Sequence, residues 1–222
     1  MRQVAAIVLL LLAFSLQGAA QVYDTLRSGE QVFTSQPIPF RVRARMIGKS
    51  MPDDATVTFN ELRYLKIPYY DFDGIIQQGE MVCNKAIAHD LLDIFKTLFE
   101  AQYPICSIRL IDDFDADDET SMRANNTSCF CYRTIAGSKQ LSQHALGRAV
   151  DVNPLQNPYV DVGVVQPATA GPYADRTKDF PHKIDANDLC KKVFVEHGFI
   201  WAGDWPTVAK DYQHFEKRAP KK

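Results

Sequence analysis

The sequence has no excess of charge of either sign. Its 25 basic and 27 acidic residues give a formal charge of -2 over 222 residues. This balance offers no electrostatic reason to expect binding to nucleic acid or to an anionic membrane surface. Internal repeats and low-complexity tracts are also missing, and a hydrophobic content of 46% is too high for a disordered chain. What remains is a globular protein of one domain, or of one domain with an extension.

Long hydrophobic runs are missing as well, except near the N-terminus. Residues 4–16 form an apolar run shorter than the ~18 to 20 residues that a membrane-spanning helix needs. The run follows Met1 and Arg2 and precedes Gly18, Ala19 and Ala20, the order that is typical of a signal peptide. We expect cleavage near Ala20 and a secreted or periplasmic protein without stable membrane insertion. An uncleaved anchor is the alternative.

Cysteine is scarce but present, at Cys83, Cys106, Cys129, Cys131 and Cys190. All five lie in the part that we expect to be exported, where disulfides persist, and so we expect at least one disulfide and at least one unpaired thiol. Cys129 and Cys131 are poorly placed to bond to each other, and each either pairs elsewhere or stays buried as a small apolar residue. A zinc knuckle on this CxC pair would need a second closely spaced pair, which the sequence lacks.

Hydrophobic periodicity predicts helices mixed with short strands. Apolar residues from Ile87 to Leu98 recur at helical spacing, with Asn84 as the expected cap. A second helix is expected from Asp185 to a stop at Gly198. Strands and helices do not alternate regularly, which favours an α+β fold over a doubly wound sheet. Strands are expected at residues 80–84, 107–111, 199–201 and 212–216.

Two charged segments have structural interpretations. The acidic run DDFDADDE, residues 112–119, is interpreted as a solvated loop, because the glycine and the final glutamate of an EF-hand calcium site are misplaced. Arg109 is expected to form an ion pair with this loop. The C-terminal KRAPKK, residues 217–222, is expected to be a frayed tail.

Two other segments place histidines beside acidic residues. SQHALGRAVDVNP positions His144 and Asp151 around a turn that contains Gly147, and DYQHFE contains Asp211 and His214. A catalytic zinc ion takes three protein ligands from His, Asp or Glu and leaves a fourth position for water. His144, Asp151 and His214 could supply that set, with Asp211 as the candidate general base.

The same segments resemble the D-alanyl-D-alanine carboxypeptidase family of zinc peptidases. SQHALGRAVD fits the family signature SxHxxGxAxD, and DYQHFE fits its distal DxxH or ExxH motif. NNTSCFCYR, further upstream, looks like the family segment NTSxFxxR. The resemblance extends from about Gly79 to Lys217. It implies the compact α+β fold that these peptidases share with the Hedgehog signalling domain, with a small antiparallel sheet and flanking helices.

Carried over residue by residue, the resemblance implies a complete site. The zinc ligands would be His144, Asp151 and His214, with Asp211 as the general base. Arg133 matches the arginine that lies over the reacting carbonyl or the substrate carboxylate. Residues that would shape, line or support the substrate cleft are Ser142, Trp201 and Trp205.

The sequence thus predicts an exported, monomeric zinc metallopeptidase that cleaves peptidoglycan stem peptides, as a D-Ala-D-Ala carboxypeptidase. We expect residues 1–20 to be the signal peptide, 21–64 an extension packed on the domain, and 65–222 the catalytic domain. Three alternatives stay open: an L-alanyl-D-glutamate endopeptidase of the same fold, a non-catalytic zinc-bearing module that binds wall peptide, and a disulfide-rich structural protein.

Overall fold

A computed structural model describes residues 24–26, 31–135 and 137–220. The predicted signal peptide, residues 1–20, and its cleavage site lie outside these ranges. Within the ranges, no helix has the length and hydrophobicity that crossing a membrane requires.

The largest sheet has four antiparallel strands. In spatial order they are β1 (Asp24–Leu26), β2 (Gln31–Gln36), β3 (Leu62–Tyr70) and β4 (Ile76–Asn84). Strands β3 and β4 form a long hairpin whose ladder extends from the pair Leu62 and Asn84 to the pair Tyr70 and Ile76. The division of the chain at residue 64 therefore falls inside β3, and β2 contributes to the same sheet as β4.

The described residues form four α-helices: α1 (Phe40–Met46), α2 (Ala88–Glu100), α3 (Asp118–Arg123) and α4 (Leu189–Glu196). Helix α2 has the predicted apolar stripe, and Leu91, Ile94 and Leu98 on it are fully buried. Its expected cap is wrong. The Asn84 side chain accepts a hydrogen bond from the Ala86 N–H at 3.0 Å, which makes a turn, and the helix begins only afterwards.

Helix α4 also begins later than expected. Its N-cap is Asp188, whose carboxylate accepts the Cys190 N–H at 2.8 Å. The expected start at Asp185 is wrong, because that side chain closes a separate turn onto the Asn187 N–H at 2.8 Å. The stop is confirmed, since Gly198 follows the helix with a φ of +79° that favours glycine.

The remaining strands are short and form three small sheets. One is β5 (Ser107–Ile108) beside β6 (Asn126–Thr127), the only parallel pairing among the named strands that the structure describes. The second has the order β10 (Ile200–Trp201), β12 (His214–Glu216) and β7 (Ala149–Asp151), and the third β11 (Lys210–Asp211), β8 (Tyr159–Asp161) and β9 (Val164–Gln166). The strand expected at residues 107–111 is therefore shorter. The predicted α+β class, with small antiparallel sheets and flanking helices, is confirmed.

Apolar side chains cover both faces of the long hairpin. Leu65 and Ile67 belong to the main core, with α2, α4 and β12. Leu62 and Tyr64 belong to a second cluster, with α1. In the main core the ring of Phe194 on α4 stacks on Phe215 of β12, with centroids 4.3 Å apart. This contact fixes β12, the strand that carries His214.

The expected disulfide is absent, since all five cysteines are free thiols. Cys83, Cys129 and Cys190 are buried in the main core, where each fills space as a small apolar residue. Burial raises the pKa of the Cys131 thiol to about 12. The interpretation of Cys129 and Cys131 as buried, unbonded residues is thus the correct one.

The acidic run is more ordered than a solvated loop. Its first part lies in a 3₁₀-helix, Ile111–Phe114, and Asp117 caps α3 by accepting a backbone N–H at 2.8 Å. Asp112 is buried and accepts another backbone N–H. The loop interpretation is wrong for these residues, because their carboxylates serve as local hydrogen-bond acceptors. The ion pair predicted for Arg109 is confirmed, with its Nε 3.1 Å from Asp113.

Candidate metal centre and cleft

Backbone pairing brings the two motif segments together. Strands β7 and β12 are neighbours, with Asp151 paired opposite His214. His144 begins the 3₁₀-helix that precedes β7, and the turn after it passes through Gly147 at a φ of +64°. A Cβ atom on Gly147 would lie 2.7 Å from the Asn84 backbone nitrogen, and only glycine allows this approach. The turn thereby positions the His144 ring over the β7–β12 pair.

The three predicted ligands converge on one point. Nε2 of His144 lies 3.1 Å from Nδ1 of His214. The two carboxylate oxygens of Asp151 lie 3.0 Å from His214 Nδ1 and 3.2 Å from His144 Nε2. Tetrahedral zinc with bonds of about 2.0–2.1 Å needs donor atoms about 3.3 Å apart, so that this buried set fits the ion closely. No other metal-ligand group occurs among the described residues, which leaves the CxC zinc knuckle without support.

Further hydrogen bonds fix the two imidazole rings. Nδ1 of His144 lies 2.6 Å from the Cys129 carbonyl oxygen, to which it donates, and this leaves Nε2 free to bind a metal. His214 has the opposite orientation, because its Nε2 lies 3.4 Å from the buried Glu216 carboxylate and its Nδ1 faces the donor set. Such outer partners orient metal-binding histidines.

The contacts within the donor set shift the pKa values of His214 and Asp151. Burial lowers the pKa of His214, but hydrogen bonds with Asp151 and Glu216 outweigh burial and raise this pKa to about 10. Burial opposes ionisation of Asp151, yet its contacts with the His144 and His214 rings hold its pKa well below the ordinary value. A metal ion would replace the proton on His214.

Asp211 lies in β11 and lines the same cleft as the donor set. Desolvation raises the pKa of its carboxyl to about 7, the range that suits a general base near neutral pH. Its Oδ1 atom is buried, and no described residue donates a hydrogen bond to it. A buried acceptor without a partner costs about 1–3 kcal/mol, a cost often found where a ligand completes the site.

The cleft has a volume of about 730 Å³. Of the other residues predicted to shape, line or support it, two line it and one lies in the core. Ser142 and Trp205 line it, and Ser142 Oγ accepts the His144 N–H at 3.2 Å, which holds the ligand loop. Trp201 lies in the main core instead, where its indole N–H donates to the Tyr212 carbonyl at 2.9 Å. Trp201 therefore packs in the core and does not line the cleft.

Arg133 lines the cleft and is held by an acidic residue. Its Nη2 lies 2.7 Å from Asp118, the first residue of α3. Its Nε is buried and has no partner among the described residues. Asp118 was missed in the sequence because it is one of several acids in the run at residues 112–119.

Two residues of the segment expected to fray are ordered, and one of them lines the cleft. Lys217 donates to Asp90 at 2.8 Å and to the His197 carbonyl at 2.7 Å, and Arg218 lines the cleft. The frayed-tail prediction is therefore wrong for these two residues. The missed signal is the alternation of His214, Glu216 and Arg218, which places all three on one face of an extended chain.

The fold and the site together define an α+β protein with a buried His₂Asp metal-ligand set in an open cleft. Residues 136–217 match a family model described as D-alanyl-D-alanine carboxypeptidase. The match confirms the resemblance read from the motifs, and it supports a peptidase of this family type. It includes all three predicted ligands and Asp211, whereas Arg133 and Asp118 precede it. Searches of the curated proteins and of the solved structures found no match.

Proposed function

We propose that the protein is an exported zinc peptidase that removes the terminal D-alanine from peptidoglycan stem peptides. The observation that carries this proposal is the convergence of His144, Asp151 and His214, with Asp211 in the same cleft. Two nitrogens and a carboxylate with an open fourth position are the ligands of a catalytic zinc site. The match to the peptidase family over this region supports the choice of reaction.

Each residue has a defined part in the proposed reaction. When bound, zinc activates a water molecule and polarises the substrate carbonyl. Asp211 accepts the proton of the attacking water and returns it to the leaving amine. Arg133 stabilises negative charge on the carbonyl oxygen or contacts the substrate carboxylate. Ser142 holds the ligand loop, while Trp201 and Trp205 support and line the cleft.

The proposal extends to the organisation of the chain. Residues 1–20 would be removed on export, and residues 65–222 would be the catalytic domain, with 21–64 packed on it. The protein would act as a monomer. N-terminal sequencing of protein from its native compartment tests the cleavage near Ala20, and a mature chain that begins at Met1 would contradict it.

Defined muropeptides with zinc-loaded protein, followed by mass spectrometry, test the activity. We expect a pentapeptide stem to lose one D-alanine, and His144→Ala protein to form no product and to bind less zinc. Cleavage between L-Ala and D-Glu would instead identify the endopeptidase. Binding of the peptide without any cleavage, by protein that contains a full equivalent of zinc, would identify a binding module.

A further inference from the structure

The cleft contains two side chains that are cationic at every physiological pH. They are Arg133 and Arg218, and no lysine is among the described residues that line it. A carboxylate that enters a cleft loses hydration, and this loss must be offset by a positive partner. The metal centre is one such partner, but in the proposed function it serves the carbonyl that reacts. A free carboxylate on the substrate would therefore need one of the two arginines.

The hydrogen bonds of the two arginines differ. Arg133 has one terminal nitrogen bound to Asp118 and its Nε buried. Arg218 uses only Nε, which donates to Glu216 Oε1 at 2.6 Å. No described residue accepts a hydrogen bond from its Nη1 or Nη2. The two terminal nitrogens of a guanidinium form the fork that binds a carboxylate through two parallel hydrogen bonds.

Arg218 is also held in place. Glu216 is its anchor, and the side chain of Glu216 is only 5% exposed, whereas that of Arg218 is 66% exposed. The other carboxylate oxygen of Glu216 lies 3.4 Å from His214 Nε2. Glu216 thereby connects the guanidinium of Arg218 to the proposed ligand set. A guanidinium fixed at one edge loses little further freedom when a ligand binds.

From this geometry we infer that Arg218 binds the free α-carboxylate of the residue that leaves, and thereby selects substrates that end at the scissile residue. This inference rests on the proposed function and adds its specificity determinant. Arg133 then stabilises only the carbonyl oxygen of the substrate, and its one free terminal nitrogen, Nη1, is enough for that hydrogen bond.

Two synthetic peptides that end in D-Ala-D-Ala, one a free acid and the other a C-terminal carboxamide, test the inference. With zinc-loaded protein we expect kcat/KM for the acid to exceed that for the amide by about 30-fold, the loss typical of one charge-assisted pair. Arg218→Gln should lower kcat/KM for the acid by about 30-fold, chiefly through KM, and should leave the amide unchanged. Arg218→Lys, which keeps the charge without the fork, should retain part of the preference.

The matched control is Arg109→Gln. Arg109 is also more than half exposed and also pairs with a carboxylate through Nε, but it does not line the cleft. This variant should keep the full preference for the acid. Arg133→Gln should lower turnover of both peptides alike.

The outcomes separate this inference from the proposed function. If the unmodified protein cleaves neither peptide, the proposed function fails. If it cleaves both peptides equally well, or if Arg218→Gln slows both by the same factor, the peptidase stands and the assignment of Arg218 is wrong. Zinc content, measured on every variant, shows whether loss of the partner of Glu216 has disturbed His214.

Discussion

Among single residues, Asp211 most directly separates the binding of metal from catalysis. Asparagine has nearly the same shape but cannot accept the proton of the attacking water. We expect Asp211→Asn to lower turnover by about 100-fold or more while zinc content stays at its full value. Steady-state kinetics and elemental analysis of the same preparation measure both quantities. Near-normal turnover would move the general base elsewhere, with Glu216 as the next candidate.

The proton on His214 makes the binding of zinc depend on pH. Its raised pKa stabilises the metal-free fold fully below the ordinary histidine value of about 6.5, and this stabilisation is lost as the pH rises towards 10. Zinc requires the neutral ring, so that its binding releases a proton throughout this window. We expect zinc affinity to rise by about tenfold per pH unit between about pH 7 and pH 9.

Competition with a chelator, corrected for the chelator's own protonation, measures this slope. An affinity that does not change with pH would show that His214 is already neutral in the metal-free protein.

The four residues proposed as ligands and base were predictable as a group because they lie in two short motifs, and the structure brings all four to one cleft. Asp118 was not predictable in the same way, because its contact joins α3 to Arg133 and depends on how the chain closes. Arg218 pairs with Glu216, two residues before it, so that its signal was present in the local sequence and was missed. Of the two tryptophans expected to line or support the cleft, Trp205 lines it and Trp201 does not. The motifs do not indicate which of the two has this position.

At the scale of elements, the start of α4 provides a direct stability test. Asp188 accepts the Cys190 N–H and also the hydroxyl of Tyr103 at 3.0 Å. Asp188→Ala removes a helix cap and leaves a largely buried hydroxyl unpaired. We expect the free energy of unfolding to fall by about 2 kcal/mol, measured by urea denaturation.

The control for this test is Asp185→Ala, at the residue where the sequence pattern placed the helix start. Asp185 is exposed and closes only a local turn. Its replacement should change the free energy of unfolding by no more than about 0.5 kcal/mol. Equal losses in the two variants would mean that the helix begins at Asp185 in solution.

Both misplaced helix starts have one physical cause. Asn84 and Asp185 have side chains that accept a backbone N–H two residues later, and this bond closes a turn as readily as it caps a helix. The sequence identifies the residue type but not which of the two bonds forms. The apolar stripe of α2 was predictable because it depends on spacing alone.

At the scale of the whole molecule, the five free thiols predict how stability responds to redox conditions. With no disulfide to break, a reductant should leave the thermal unfolding midpoint unchanged. Alkylation in denaturant without reductant, followed by intact mass measurement, should label all five cysteines. In the folded protein only the half-buried Cys106 should react. Fewer than five labels in denaturant would reveal a disulfide.

The overall α+β class followed from the irregular order of elements, whereas the position of the N-terminal part did not. Residues 21–64 read as irregular because three prolines interrupt them. In the structure Pro39 is instead the N-cap of α1, and β2 pairs with β3 across some thirty residues. Pairing over such a distance is decided by tertiary packing, and local pattern does not contain it.

The short strands that carry two of the proposed metal ligands determine which changes of chain length the site can tolerate. Asp151 and His214 face each other across a ladder of three residues, where side chains alternate between the core and the cleft. Inserting or deleting one residue in β12 would turn Phe215 towards the cleft and His214 towards the core. The loops between α4 and the short strands of the intervening segment bear no such constraint and can change length. Among homologues, gaps should therefore accumulate in these loops and be missing within the two strands.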